Sequence, residues 1–342
     1  MKICFITEFY NPKYGGQYGS LKGILDQCKI FKIDHDIFFK NSKIYNDRAL
    51  QKKFFENGDI YHFFGGWTWF HVKIILRLLK LKKKIVIHSM GFYEPWSLEQ
   101  KKIKKYIAWH LYQKKILLKV DKLHCASLQE QNNLLALNDK FKTLVLPFGI
   151  SDKFIKKKLY TSDFKVKKKV LFFSRLHKKK GLEFLIKAWL EINNPDWTLD
   201  ICGYGNNKQY LNKIISSKKN VKINFLKTIY DNSSKINLFN KYDLLALPTK
   251  NENFGLVILE SLSRGLPVLT TTNTPFCDIE EFNAGWIIND SYLELKLILY
   301  KIFNTSKKDF LKKKKNAIKL ANRFSWSRIF SDYVNFYKKL IN

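Results

Sequence analysis

Two glutamates, Glu252 and Glu260, stand on either side of Asn253-Phe254-Gly255-Leu256-Val257-Ile258-Leu259. A loop carboxylate, then Phe-Gly, then an apolar run carrying a second carboxylate is a pattern with chemical use. A helix beginning near Phe254 leaves its first backbone N–H groups without intrahelical partners, and these form an anion site. The carboxylates then flank that site, where each can accept hydrogen bonds from hydroxyls. Positive charge comes from Arg175 and Lys180 in Ser174-Arg175-Leu176-His177-Lys178-Lys179-Lys180-Gly181, which follows the apolar run Val170-Leu171-Phe172-Phe173. A strand end, two cations and a helix start make a clamp for a pyrophosphate. The competing reading of the same stretch is a solvated lysine run. Gly203-Tyr204-Gly205 closes another apolar run, and Gly15-Gly16 follows the first one. Such glycines admit close backbone approach to a ligand, or simply a turn. A ligand with hydroxyls at both ends and phosphates between them suits this set, and a nucleotide-sugar has that shape.

Other chemistries find less support. No G-x-G-x-x-G follows Gly203 and no G-x-x-x-x-G-K-[ST] occurs, which weakens nicotinamide and P-loop readings. Asp34-His35-Asp36 has the D-x-D spacing of a divalent-cation site but stands before a strand, far from the phosphate-type residues, with no further carboxylate cluster. The five cysteines, Cys4, Cys28, Cys125, Cys202 and Cys277, show no C-x-x-C spacing, which points to a reducing compartment rather than a disulfide framework or zinc site. Neither a metal nor a cofactor is expected.

The net charge of +33 raises the question of nucleic acid. Residues 1–165 carry 31 basic against 14 acidic residues, and the rest 31 against 15. So even a spread reads as residue usage rather than a binding face, and no nucleic-acid partner is expected. No signal-peptide-like run opens the sequence, and no stretch of about 18 uncharged apolar residues occurs. The expected location is cytoplasmic, with peripheral attachment to the cytoplasmic face of the inner membrane as an option.

The elements that must position these residues come from short apolar runs alternating with helical patterns. Ile3–Ile6, His35–Phe39, Ile60–Phe64, Ile85–His88, Leu123–Ala126 and Leu144–Leu146 read as one set of strands. After a Lys-rich linker over Lys156–Lys169, the series restarts with Val170–Phe173, Leu199–Cys202, Val221–Phe225, Leu244–Leu247, Val268-Leu269 and Trp286–Ile288. With 342 residues, 46% of them hydrophobic, two α/β domains with parallel sheets are expected. Their bounds are 1–160 and 161–324, with an aromatic-rich terminal helix over 325–342 either packing back onto the first domain or ending the second. Ligands bind such sheets beyond the carboxyl ends of the strands, so two facing Rossmann-like units would enclose a deep cleft.

The run from Leu98 to Lys122 predicts a basic helix. Lys101, Lys105, Lys115, Lys119 and Lys122 share one face, and Ile103, Ile107, Leu111 and Leu118 form an apolar stripe. The segment reads either as a docking face for anionic lipid or as the solvated outer face of a core helix.

Taken in order and spacing, Ser174 to Gly181, Ile201-Cys202-Gly203-Tyr204-Gly205, and Pro248-Thr249-Lys250-Asn251-Glu252-Asn253-Phe254-Gly255 through Glu260 to Gly265-Leu266-Pro267-Val268 resemble retaining glycosyltransferase family 4, whose architecture is the two-domain GT-B fold. Gly91-Phe92-Tyr93-Glu94-Pro95-Trp96-Ser97-Leu98, Leu123-His124-Cys125-Ala126-Ser127 and Glu130 resemble a subgroup that builds bacterial surface polysaccharides such as lipopolysaccharide. The resemblance implies a hexosyltransferase with a nucleotide-sugar donor and a glycan or lipid-linked acceptor. It implies that Arg175, Lys180 and the N–H groups around Phe254, Gly255 and Leu256 hold the diphosphate. Glu260 would bind the ribose and Glu252 the transferred sugar, with Gly203 and Gly205 also at the donor. Gly15 and Gly16 would approach the donor phosphate, and His88, Gly91, Glu94 and Trp96 would lie on the acceptor side. Three positions depart from the family pattern: Met90 stands where His or Arg is common, Phe148 where Asn is usual, and Lys227 where Gly is usual. A basic nucleic-acid-binding protein and a donor-binding scaffold without turnover are the alternatives.

Overall fold

The structure, a computed structural model, describes residues 1–157, 164–205 and 221–342. Part of the linker expected over Lys156–Lys169 lies outside the described residues. The chain divides into two compact units, Met1–Gly149 with Trp326–Asn342, and Ile150–Ser325. The terminal aromatic segment thus belongs with the first unit, and the boundary between the units falls after Gly149.

The first unit holds strands β1 (Lys2–Thr7), β2 (Asp34–Phe38), β3 (Ile60–Phe64), β4 (Lys84–His88), β5 (Lys122–Cys125) and β6 (Thr143–Val145), in the order β2-β1-β3-β4-β5-β6. The second holds β7 (Lys169–Phe173), β8 (Thr198–Cys202), β9 (Ile223–Leu226), β10 (Leu244–Leu247), β11 (Val268–Thr271) and β12 (Gly285–Ile288), in the order β12-β11-β10-β7-β8-β9. Every pairing within both sheets is parallel. Uninterrupted apolar runs suit strands covered on both faces, and β3 and β10 are buried at every residue. The edge strand β2 is Asp-His-Asp-rich and buries only Phe38. Its carboxylates pair with Lys2, at 2.7 Å from Asp36 and 3.8 Å from Asp34. Among the described residues no group of three or more His, Cys, Asp or Glu is arranged to hold a metal ion.

Each sheet reverses its strand order once, at β1/β3 and at β7/β10. These switch points are where a doubly wound sheet opens a crevice beyond its strand ends. The fold is that of two Rossmann-like α/β domains.

The helix Trp326–Ile341 docks on the first unit through polar contacts inside its core. Tyr337 Oη lies 2.8 Å from His62 Nδ1, His62 Nε2 lies 3.2 Å from His124 Nδ1, and His124 Nε2 lies 2.7 Å from the Leu146 carbonyl oxygen. A carbonyl can only accept, so His124 carries its proton on Nε2. His62 then donates from Nε2, and Tyr337 donates to His62. Burial pushes the pKa of both imidazoles well down, keeping them neutral as this relay requires.

The basic run departs from expectation. It is not one helix from Leu98 to Lys122. It comprises Pro95–Glu99, then Lys102–Ala108 after a left-handed Lys101, a π-helical turn Trp109–Gln113, and Lys114–Lys119. The face packed on the core carries Trp109, Tyr112, Ile116, Leu117 and Leu118. Ile103, Ile107 and Leu111 of the apolar stripe are exposed, and only Leu118 packs on the core. Lys105 turns inward to the Ser97 carbonyl and over the Trp67 ring, and burial, helped by Lys101, lowers its pKa.

Candidate functional site

The second unit gathers its expected residues at the carboxyl ends of three neighbouring strands. Arg175 and Lys180 follow β7, Gly203 and Gly205 follow β8, and Glu252 to Leu256 follow β10. β7 ends at Phe173, and the chain then turns through a single helical turn, Lys178–Lys180, into the helix Leu182–Ile192. At the turn, Gly181 has φ +70°, and a Cβ there would stand 1.8 Å from the Pro248 carbonyl oxygen. Only glycine lets the β7 loop close onto the β10 loop. Two hydrogen bonds finish the junction: the Lys250 N–H donates to the Lys179 carbonyl at 2.8 Å, and the Thr249 hydroxyl donates to the same oxygen at 3.1 Å.

That junction aims Lys180 at Glu252. The ammonium and the carboxylate are in direct contact, with side chains 9% and 16% exposed. Burial pushes the Glu252 carboxyl up, but Lys180, then Lys179 and Arg175, outweigh it and hold the group below its ordinary value. Glu252 is thus an anion held by a cation that faces the same space. Its own N–H donates to the Asn273 carbonyl at 3.0 Å, fixing the loop to the end of β11. Arg175 is exposed, and the cations around His177 add to a burial effect that lowers its pKa.

The helix expected near Phe254 runs Leu256–Ser263 and is capped by Gly255, whose backbone is left-handed and whose position has no side-chain cap. Phe254 itself is buried against Phe276 and Phe324. The first-turn N–H groups therefore begin at Leu256, two residues after the expected start. Glu260, one turn on, meets Lys235 at 2.7 Å, with side chains 13% and 17% exposed. Lys235 was not legible as a site residue. It comes from the helix Asn232–Phe239, and no local motif links it to Glu260.

Gly203 and Gly205 have an internal reason to be glycine. A Cβ would stand 1.9 Å from the Ser174 carbonyl oxygen at Gly203 and 2.6 Å from that of Leu176 at Gly205. The pair seats the β8 loop against the β7 loop, where the Leu176 N–H donates to the Tyr204 carbonyl at 2.8 Å.

In the first unit the expected residues occupy two places. Gly15 and Gly16 begin the helix Gly16–Ile30 after β1, and a Cβ at either would meet nothing within 4 Å. His88, Gly91, Glu94 and Trp96 follow one another from the end of β4. His88 is buried among the rings of Phe64, His124 and Phe148 and bonds the His124 carbonyl at 2.9 Å through Nδ1, while its Nε2 has no hydrogen-bond partner among the described residues. Burial drives its pKa down to about 4. Glu94 is also buried and accepts from Asn133 at 2.5 Å. Met90 and Gly91 both have positive φ, 56° and 73°. This turn is held by a buried carboxylate with no assigned role in the sequence reading: Glu130 accepts from the Ser89 hydroxyl at 2.6 Å, the Ala126 N–H at 2.7 Å and the Gly91 N–H at 3.4 Å.

Residues 156–320 match the family model for glycosyl transferases group 1. The match covers nearly the whole of the second unit, Ile150–Ser325. Among curated relatives, the GtfA subunit of a UDP-N-acetylglucosamine–peptide N-acetylglucosaminyltransferase from Streptococcus agalactiae is 28% identical over 185 residues, 51% of this chain and 36% of that protein. The chain thus spans about a third of that relative's length. Among solved structures, Anabaena Alr3699/HepE in complex with UDP-glucose superposes with a TM-score of 0.75 at 18% identity, covering 99% of this chain and 100% of that one. WaaG, a glycosyltransferase involved in lipopolysaccharide biosynthesis, gives 0.70 at 16% identity, covering 94% and 95%. At such identities the structural likeness is one of fold, and that fold is GT-B.

Proposed function

We propose that this chain is a retaining glycosyltransferase that moves a sugar from a nucleotide-diphosphate sugar to a glycan or lipid-linked glycan during surface polysaccharide synthesis. The observation that carries the reading is the Lys180–Glu252 pair at the β7/β10 switch point, with Arg175 on the same loop and the N-terminus of Leu256–Ser263 beside it. The group 1 domain match supports the activity. The names of the relatives, a UDP-N-acetylglucosamine transferase and a lipopolysaccharide enzyme, support the donor class and the setting.

Cleavage of the sugar–phosphate bond builds negative charge on the departing diphosphate. In this scheme Arg175, Lys180 and the helix N–H groups bind that charge more strongly as it grows, and this difference lowers the barrier. Glu252 takes hydroxyls of the transferred sugar and Glu260 those of the ribose. Gly15 and Gly16 offer open backbone for the donor phosphate, and the Ser89–Trp96 segment serves the acceptor. These cations already balance the diphosphate, so the scheme requires no metal ion. Retention follows if the acceptor attacks from the leaving-group face, with a donor phosphate oxygen taking its proton.

The test is a screen of UDP- and GDP-sugars for hydrolysis and transfer by the purified chain, with and without EDTA. One donor should be turned over equally in both conditions. Arg175→Ala, at an exposed position, should lower the rate at subsaturating donor by about 10²–10³ while leaving the unfolding temperature unchanged. Wild-type turnover in that variant, or no donor bound at all, overturns the reading.

A further inference from the structure

The transfer scheme gives Lys235 no part, yet this side chain reaches into the same crevice. Lys235 comes from the start of the helix Asn232–Phe239, which follows β9, and Glu260 stands one turn into Leu256–Ser263, which follows β10. A helix that follows a strand begins at the strand's carboxyl end, so the two side chains meet on the ligand side of the sheet. The Lys235 ammonium lies 6.0 Å from the centre of the ring of Phe173, the last residue of β7, and donates to Glu260 Oε1 at 2.7 Å. Packing does not call for this contact. The helix Asn232–Phe239 is anchored by buried Leu238 and Phe239, with the Phe239 ring edge-on to those of Phe154 and Phe173. Beyond the far ends of the two helices, Arg264 donates to Asn240 Oδ1 at 3.1 Å, which already ties them together. The attraction within a partly buried ion pair is largely offset by desolvation, so the pair adds little to stability.

The hydrogen bonds show what the pair leaves open. Among the described residues, Glu260 Oε1 has Lys235 as its partner and Oε2 has none. The ammonium has three N–H donors and uses one of them on Glu260. An acceptor therefore stands beside donors that are fixed to the same carboxylate. Two neighbouring hydroxyls match that arrangement. One donates to Oε2, and the oxygen of the other accepts from Lys235. The same contact restricts the carboxylate to one orientation, so Lys235 also positions Glu260.

We propose that Lys235 is a specificity residue for the vicinal diol of a ribonucleotide, completing with Glu260 a two-point grip on its 2′ and 3′ hydroxyls. The inference rests on the nucleotide-sugar reading and adds to it a cationic partner for the ribose. A site built to hydrogen-bond both hydroxyls rejects a nucleotide that lacks one, because a buried polar group is then left unpaired.

The experiment is isothermal titration calorimetry of the full chain with UDP and GDP, followed by the 2′-deoxy and 3′-deoxy forms of whichever diphosphate binds more tightly. The wild type should prefer the ribonucleotide to each deoxy form by about tenfold or more, the factor for one hydrogen bond with a charged partner. Lys235→Met should bring at least one of these preferences to within about threefold of unity. Arg175→Ala, which removes a cation from the diphosphate end, should weaken all three nucleotides alike and leave both preferences in place. If Lys235→Met does not fold because Glu260 is left unpaired, Lys235→Met/Glu260→Gln is compared with Glu260→Gln. The single variant should keep the preference that Lys235 supplies, and the double variant should lose it. Equal losses for all three nucleotides in Lys235→Met would make the lysine a general counter-charge and overturn the proposal. So would wild-type preferences in that variant, the same preferences in the single and double variants, or a wild type that binds a deoxy form as tightly as the ribonucleotide. A wild type that binds neither UDP nor GDP would refute the donor reading itself, and this inference with it.

Discussion

Replacing Lys180 by methionine removes the cation and leaves Glu252 ionised in a site that is 9–16% exposed. Breaking a buried pair from one side costs about 3–5 kcal/mol, and the remaining solvent access places this case near 3. For a unit the size of Ile150–Ser325 that corresponds to a fall in unfolding temperature of roughly 6–12 °C. Lys180→Met/Glu252→Gln removes both charges together, so its stability should return to within about 1 kcal/mol of the wild type. The sign of the pH dependence follows from Glu252. Its carboxyl is held below the ordinary 4.5 in the folded state, so the stabilisation is present above that value and lost as pH falls through the folded one. The deficit of the single variant should therefore shrink in acid. Turnover should behave differently from stability: single and double variants alike should lose about 10²–10³ in rate, because neither presents a cation to the leaving group. Urea unfolding from pH 3 to 8, with donor turnover on the same samples, reads both quantities. A double variant as unstable as the single would refute the pairing argument. Turnover that recovers together with stability would refute the catalytic role of Lys180.

Glu130 should act in the opposite sense. Burial raises its carboxyl from 4.5 to about 7 against the pull of its three hydrogen bonds, so the folded chain binds the extra proton between those values and stability declines as pH rises through them. Relative to Glu130→Gln, the wild type should gain about 2–3 kcal/mol between pH 8 and pH 5 in urea titrations, and a pH-independent difference would count against burial as the cause. Gly181→Ala should destabilise by about 2 kcal/mol or more, because its Cβ has no space against Pro248 and its backbone is left-handed. Gly16→Ala, with nothing within 4 Å of its Cβ, should leave the unfolding temperature within about 2 °C of the wild type, and a large loss there would place an unseen packing contact at this glycine.

Much of the fold was legible because strands buried on both faces must be apolar without interruption. Ile60–Phe64 and Leu244–Leu247 read straight from the sequence for that reason, while β9 begins at Ile223 rather than Val221, where the apolar run gives no edge. Periodicity told less about the basic segment. Ile103, Ile107 and Leu111 repeat every four residues as a core stripe would, and so do Tyr112 and Ile116 on the other side. Spacing defines a face but not the direction it points, and it is the face with Trp109, Tyr112 and Ile116 that packs on the core. Lys235, and the role of Glu130, were hidden for a different reason. Each acts on a group far along the chain, Glu260 and the Ser89–Gly91 turn, and only the packing of separate elements makes them neighbours.

The glycines sort the site residues in a way their motifs do not. Gly181, Gly203 and Gly205 each stand against a carbonyl oxygen of a neighbouring loop, at 1.8 to 2.6 Å from where a Cβ would be. Their lack of a side chain is already required by the joining of the β7, β8 and β10 loops, so it provides no separate sign of a ligand. What the joined loops hold in place is charge: Lys180 against Glu252, with Arg175 left exposed on the same loop. Recognition in this unit therefore rests on the cations, the two carboxylates and the N–H groups after Gly255, while the glycines set the loop spacing that keeps those groups convergent. Gly15 and Gly16 differ, since open space surrounds the position of a Cβ at each and no internal contact calls for glycine's small size. Gly15 still needs glycine for its backbone, at φ +58°, so of the glycines singled out for donor binding Gly16 alone keeps a reason that its own unit does not already supply.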